Sequence, residues 1–369
     1  MSSANVVIVG AGIGGLNCAR ALAQPRYKDN INVTLIQGGP CEYHAGLIPV
    51  LLGQCPASDF RLTMPKGDFT FVSGVVNRIE EGRVYLADGT EFEADAIILS
   101  PGLTLLKSSI PGAHGIWSLS NAEKVCPFVL SLLDSVKGPR VAIAIEKLPI
   151  RCPPAPYGLA IRLANMGASV SVFSPESYPV GVAGREVGEF VLRRCHENYV
   201  NVILDAKIDF DKSNENVIYA SGRQYDFDLI LAVQAHVSPQ FLRDFDLTSV
   251  NLEGPSAYSI PGFSSVWVIG DSLPAQLPKA AGVAEAQGRT VASLVLKHLG
   301  IENTFSYVYP TPSCFLSEQE NVYSLIKLDF GKGPLGSRPV SVEIRGPSAQ
   351  LSTSFEQAIE NWRRLVIQE

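Results

Sequence analysis

No apolar run in the 369 residues reaches the roughly 18 needed for a membrane-spanning helix. No basic stretch with a long apolar core precedes the first strand-like segment at Val6, so nothing marks a secretory signal and a cytoplasmic chain is expected. Charge is sparse and tilts acidic: 30 Lys and Arg against 36 Asp and Glu give a net charge of −6, which argues against nucleic acid as a partner. The 7 cysteines (Cys18, Cys41, Cys55, Cys126, Cys152, Cys195 and Cys314) include no C-x-x-C pair, which excludes the common zinc spacings and a disulfide-stapled scaffold. No metal site is expected. With no C-x-x-C-H either, any haem would sit on a partner.

What is present is concentrated first in Val6–Gly15, VVIVGAGIGG. Four apolar residues read as a buried parallel strand, and the chain then meets Gly10, Gly12 and Gly15 in G-x-G-x-x-G spacing before a helical pattern over 16–23. Gly10 permits the tight turn, Gly12 the close approach of a pyrophosphate, and Gly15 the packing of helix on strand. The helix N-terminus offers unpaired N–H groups to phosphate. A second strand, 32–36, follows at the right distance and ends at Gln37. A carboxylate usually stands there to accept bonds from ribose hydroxyls; Gln37 can still bond a hydroxyl, without charge.

Residues 40–53 read as a loop and a short apolar segment in which Cys41, Tyr43 and His44 could face a cofactor, ordinary loop polarity being the simpler reading of His44. Runs at 69–76, 84–86 and 91–93 read as short strands with a turn at Asp88–Gly89. The buried strand 96–99 ends in Ser100-Pro101-Gly102, a small-residue turn suited to passing beside a dinucleotide. A helix is expected over 122–134. A new buried strand follows at 141–145 and should lead into a second glycine fingerprint if the chain also held a nicotinamide nucleotide. It leads instead into EKLPIRCPPAPY, whose bulky residues and prolines cannot hug a phosphate and whose prolines lack N–H donors. A helix over 157–166, a strand over 169–173 and a helix over 187–196 come next, and strands at 200–204, 217–220 and 229–232 complete a small sheet in this reading.

The second strong motif is Ser265–Asp271, SVWVIGD. A buried strand delivers Gly270 and Asp271 into a turn, and a long helix follows over 281–299. Asp271 would accept a bond from a ribityl hydroxyl, and the helix N-terminus would face the flavin edge where negative charge develops. Paired with the first fingerprint, the motif points to FAD. Lys279, just before the helix, could sit near the flavin, a solvated lysine being the alternative reading. Residues 305–369 leave the alternating pattern; they hold SCFLS at 313–317, strand-like runs at 322–328 and 340–344, and an amphipathic helix over 354–367. Such an appendage could dimerise, cover the flavin or touch a membrane, although Glu356 and Glu360 make its polar face less basic than anionic lipid favours.

At Arg151–Gly158, RCPPAPYG, the sequence resembles the R-C-P-P-G-P-Y-E segment of the flavoprotein subunit of flavocytochrome c sulfide dehydrogenase, a relative of sulfide:quinone oxidoreductase. The resemblance continues through SVWVIGDSLPAQLPKAAGVAEAQG, PTPSCFLS and EQAIENWRRLV, and so covers essentially the whole chain. It implies an α/β fold of two Rossmann-like, disulfide-reductase-type domains with a C-terminal α+β appendage. The expected division is a discontinuous FAD-binding domain at 1–112 and 238–304, a second Rossmann-like domain without a nicotinamide site at 113–237, and a capping or interface region at 305–369.

The resemblance also implies that Cys152 and Cys314 form a redox pair. Hydrosulfide attacks their disulfide or a bridging polysulfide, two electrons reach FAD, and sulfur or polysulfide leaves. Quinone or a c-type cytochrome then takes the electrons, with peripheral membrane contact and homo-oligomerisation compatible with the sequence. The family's Glu after Pro-Tyr is Gly158 here, its covalent flavin cysteine aligns with Ala45 rather than Cys41, and a third cysteine would fall near 118–120, with Cys126 beyond it in a helix. The competing expectations are a flavin-dependent NAD(P)H:quinone or disulfide reductase, and a degenerate paralogue that binds flavin without catalysis.

Overall fold

Val6–Val9 are almost wholly excluded from solvent, and they form the centre of a five-stranded sheet in a computed structural model that describes residues 3–331 and 338–367. The strand order is Val266–Val268, Ala96–Leu99, Ala4–Val9, Ile31–Gln37, Thr70–Ser73, and every neighbouring pair is parallel. Unbroken apolar runs such as AIIL are what a parallel sheet covered on both faces requires. The helices Ile13–Leu22 and Ala281–His298 pack together beside this sheet. They touch backbone to backbone, since a Cβ at Gly288 would lie 2.3 Å from Gly14 O. A meander of Val76–Glu80, Arg83–Leu86 and Glu91–Glu93 buries Val76, Ile79, Val84 and Leu86 in the same core.

A second five-stranded parallel sheet has the order His114–Gly115, Leu229–Val233, Arg140–Ile145, Ser169–Phe173, Asn201–Ile203. Helices Leu119–Ser135, Ala155–Asn165 and Arg185–Glu197 bury their apolar residues in its core. The fold class expected from the sequence is the one observed.

Local readings differ from the structure in three places. The run 217–220 does not join the second sheet: Val217–Ala220 pairs antiparallel with Arg223–Asp226 across Ser221-Gly222. Both turn residues have positive φ, 49° and 80°, the mark of a type I′ hairpin, so the pairing is local. The run 69–76 is two strands. Thr70–Ser73 lies in the first sheet and Val76–Glu80 in the meander, with Gly74-Val75 between them. The segment carrying Cys314 is itself a strand, Ser313–Gln319, at the edge of an antiparallel sheet with Val322–Asp329 and Ser341–Ser348.

This third sheet is fixed to the second unit by buried polar contacts. Arg162 donates to Ser317 Oγ at 3.2 Å, Asn165 to Glu318 O at 2.9 Å, and Arg194 pairs with the Glu318 carboxylate, which also accepts from Ser324 Oγ. Glu318 is 2 % exposed. A buried carboxylate left without its partner would cost several kcal/mol, roughly 3–5, so the register of Ser313–Gln319 against the helices is tightly specified. The terminal helix Leu351–Ile367 turns Leu351, Trp362 and Val366 inward and leaves its polar side in solvent.

Candidate active site

Where Ala4–Val9 ends, Gly10 adopts φ +102°, and a Cβ there would sit 2.2 Å from Ser100 O. A Cβ on Gly15 would lie 1.9 Å from Gly10 O, so strand, turn and helix pack as the fingerprint requires. Gly12 differs: a Cβ would meet nothing within 4 Å, because Gly12 faces open space at the uncapped start of helix Ile13–Leu22. An uncapped helix end beside free space is what a pyrophosphate would occupy. Gln37 is already engaged, accepting from Ala11 N–H at 2.8 Å and donating to Pro40 O at 3.4 Å.

Strand Val266–Val268 brings Gly270 and Asp271 to the same end of the sheet. Gly270 N–H donates to Gln287 Oε1 at 2.7 Å, and Ser272 Oγ donates to Gly102 O at 2.9 Å, tying the turn to the one after Ala96–Leu99. Helix Ala281–His298 also begins without a side-chain cap, and its start opens into one cavity of about 220 Å3 with Gly12, Ser100, Gly102, Gly270 and Asp271. Two uncapped helix ends, and a gap where a Cβ would fit, make a cradle that FAD matches. Burial raises the Asp271 carboxyl, with Lys279 and Arg151 opposing; burial lowers Lys279, with Asp271 opposing. Lys279 is 7 % exposed, and its ammonium donates to Leu273 O.

The other wall of the cavity holds both cysteines singled out in the sequence. Cys152 sits at φ +52°, a left-handed conformation that costs a non-glycine residue about 1–2 kcal/mol. It is locked there: its N–H donates to Lys279 O at 3.0 Å, and its carbonyl accepts from Ala155 N–H at 2.9 Å. Cys314 reaches the same cavity from strand Ser313–Gln319, opposite Ile326 in register. Both are free thiols. Burial pushes the Cys152 thiol up to about 11 and raises Cys314 further, so both rest protonated near neutrality.

Gly158 accounts for one departure from the R-C-P-P-G-P-Y-E pattern. A Cβ there would lie 3.0 Å from Ser317 N and 3.1 Å from its O, so a glutamate would drive the Cys314 strand away from helix Ala155–Asn165. Cys126 lies within helix Leu119–Ser135 and does not line the cavity.

Residues 4–288 match the pyridine nucleotide-disulphide oxidoreductase family. The chain belongs to that family. Membership of this oxidoreductase family implies FAD. The chain is similar to the mitochondrial sulfide:quinone oxidoreductase of Dictyostelium discoideum, 24% identical over 367 residues, covering 88% of this chain and 78% of that protein. Among solved structures it resembles the sulfide:quinone oxidoreductase of Aquifex aeolicus, with TM-score 0.77 and 16% identity over 98% of this chain and 91% of the other. It also resembles NDH2 from Plasmodium falciparum in complex with NADH, with TM-score 0.68 and 11% identity over 99% and 95%. The resemblance to sulfide:quinone oxidoreductases read from the sequence is borne out.

Within this family member the cavity collects most of the residues marked in the sequence: Gly12, Ser100, Gly102, Gly270, Asp271, Lys279, Cys152 and Cys314. Gly10 and Gly15 act behind the surface, and Gln37 lies outside the lining. His44, for which loop polarity was the simpler reading, stands on the wall with Tyr43. Arg151 lines it too, and sequence reasoning had used that residue only as part of a motif. The available signal is its place directly before Cys152, in the segment that follows the buried strand Arg140–Ile145. Tyr43 stacks on Trp362 of the terminal helix, ring centroids 5.4 Å apart, and Phe355 of the same helix lines the cavity.

Proposed function

We propose that the chain is an FAD-dependent sulfide dehydrogenase of the sulfide:quinone type. The observation that carries this reading is that Cys152 and Cys314, far apart in sequence, line one cavity with the uncapped starts of both dinucleotide-facing helices. Gly10, Gly12, Gly15, Ser100, Gly102, Gly270, Asp271 and Lys279 are the residues assigned to hold FAD, with Gln37 supporting the glycine turn from behind.

The cysteines do the sulfur chemistry. With Cys152 and Cys314 joined, hydrosulfide attacks one sulfur of the bridge; a new S–S bond forms, the Cys–Cys bond breaks, and the other cysteine leaves as thiolate. A second hydrosulfide attacks the outer sulfur of the resulting persulfide and removes it as hydrodisulfide, returning that cysteine as a thiol. The raised thiol pKa values favour uptake of a proton by each thiolate, so once the bridge is cleaved the reduced pair is held as neutral thiols. The chemistry that FAD supplies when bound is that of a two-electron sink between this dithiol and the acceptor. Quinone is preferred to a c-type cytochrome as acceptor because the named relatives are sulfide:quinone oxidoreductases. A membrane-dissolved acceptor calls for peripheral contact, and among the described residues no helix is long and apolar enough to cross a membrane.

Anaerobic mixing of the FAD-loaded protein with sulfide tests the reading through the flavin's visible absorbance. Bleaching or a long-wavelength band is expected, and Cys152→Ser and Cys314→Ser should each slow it by about 10³-fold or more. An unchanged spectrum in the wild type, or full-rate bleaching in both variants, would sink it.

A further inference from the structure

Opening a bridge between Cys152 and Cys314 puts negative charge on sulfur in a wall poorly equipped to receive it. Burial is the main cause that raises both thiols. At Cys152 the Ala155 N–H then favours the thiolate and Asp271 disfavours it. At Cys314 the neighbouring Cys152 adds to the effect of burial. The cations of this wall answer carboxylates instead: Asp271 acts on Lys279, and Asp271 and Glu42 act on Arg151.

Tyr43 has a hydrogen to offer. It lines the cavity together with both thiols, and it also borders the second cavity beside Trp362. Its ring is held in place from several sides. Tyr43 follows the short strand Cys41–Glu42, which pairs antiparallel with Arg61–Leu62. Its N–H donates to Phe60 O at 2.9 Å, and its carbonyl accepts from Gly46 N–H at 3.1 Å. Its face lies on the buried Trp362 ring at an interplanar angle of 11°. Among the described residues the Tyr43 hydroxyl makes no hydrogen bond, and its oxygen is not enclosed by protein, so it opens onto free space. Burial, then Cys152 and then Cys314 raise the phenol, so it keeps its proton and both thiols lie within its electrostatic reach. A phenol in that state donates a hydrogen bond.

We propose that the Tyr43 hydroxyl is the hydrogen-bond donor that receives the sulfur anion formed when the Cys152–Cys314 bridge opens. Hydrosulfide forms a new S–S bond to one cysteine, the Cys–Cys bond breaks, and its electron pair goes to the other sulfur, toward which Tyr43 turns its O–H. No proton leaves the phenol. The donor gains strength as the sulfur becomes negative, so it favours the opening step over the resting pair. The place of this contact in turnover rests on the function proposed above; a hydrogen bond from Tyr43 to a cavity thiolate does not.

Tyr43→Phe removes the oxygen and keeps the ring that stacks on Trp362. Two measurements on the FAD-loaded full chain separate the hydrogen bond from the function. The first follows alkylation of the reduced protein by iodoacetamide across pH, with each cysteine resolved by mass spectrometry. A hydrogen bond to a thiolate lowers the thiol pKa, so losing it raises the pKa. In the variant the profile of Cys152, Cys314 or both should move up by about one pH unit, which is about tenfold in rate below the pKa, while Cys126 outside the cavity keeps its profile. The second follows flavin bleaching against sulfide concentration. The limiting rate should fall about tenfold, with half-saturation within about threefold. Unmoved profiles for both cavity thiols overturn the hydrogen bond. So does an equal displacement of Cys126, which would mean a general change in the fold. Displaced cavity profiles with full-rate bleaching overturn its part in turnover. Displaced profiles with no bleaching in the wild type keep the hydrogen bond and count against the sulfide reading alone.

Discussion

The two parallel sheets share a strand plan but end differently. In the first unit the central strand delivers Gly10 and Gly12 to a helix start facing open space. In the second, the equivalent strand Arg140–Ile145 runs into Glu146 and a proline-rich segment, and the helix begins at Ala155 behind Pro153 and Pro154. The polar residues near the ends of the second strands are also reversed in character. The first unit has a neutral Gln37 bonded to Ala11. The second has a carboxylate, Glu176, but Tyr157 Oη donates to it at 3.0 Å and Gly181 N–H at 2.8 Å, so the chain fills its own acceptor. The strand-to-helix turn that presents glycines in the first unit carries Cys152 in the second. A duplicated scaffold can therefore keep its strands and change its chemistry by altering one strand-to-helix turn.

Gly12→Leu should break the comparison most severely. It places a side chain in the open space at the helix start and should weaken FAD binding by about 100-fold, roughly 2.7 kcal/mol, while the melting temperature of the apoprotein stays within a degree or two. Titration of apoprotein with FAD checks the first part and calorimetry the second; an equal loss of apoprotein stability would mean that Gly12 serves packing. Next in size is Gly158→Glu, which should destabilise the docking of the Cys314 strand by about 1–3 kcal/mol and slow sulfide-dependent bleaching, as read by urea unfolding and rapid mixing. Tyr157→Phe leaves the buried Glu176 carboxylate short of a donor and should cost about 1–3 kcal/mol in urea unfolding. It should not create NADH-dependent bleaching, since the proline turn remains; bleaching by NADH would show that Tyr157 alone had closed the second unit. The smallest change is Gln37→Glu, which adds charge to the bond with Ala11 N–H and should alter FAD affinity by about fivefold, about 1 kcal/mol.

Much of this was legible in the sequence because apolar runs and glycine spacing are local signals. VVIVGAGIGG and SVWVIGD specify strands whose ends are constrained by their own residues, and both motifs line one cavity. The strand Ser313–Gln319 was not legible as a strand, because its regularity comes from partners at 322–329 and from Gly158, Arg162 and Arg194 on distant helices. The hairpin at 217–226 was missed because its turn chemistry, Ser221-Gly222, outweighs the β-rich composition that suggested membership of the larger sheet. Arg151 escaped notice for a related reason. An arginine in sequence shows its charge, and only the folded chain shows that it lines the cavity.

The contact between Gly14 and Gly288 bears on how the protein is made. The helix after the first glycine turn cannot reach its final packing until residues 281–298 have left the ribosome, and the edge strand Val266–Val268 must also arrive before the first sheet is complete. The cavity wall formed by the start of that helix is thus completed late. During synthesis the whole second sheet emerges between the two parts of the first, and Cys314 emerges after both.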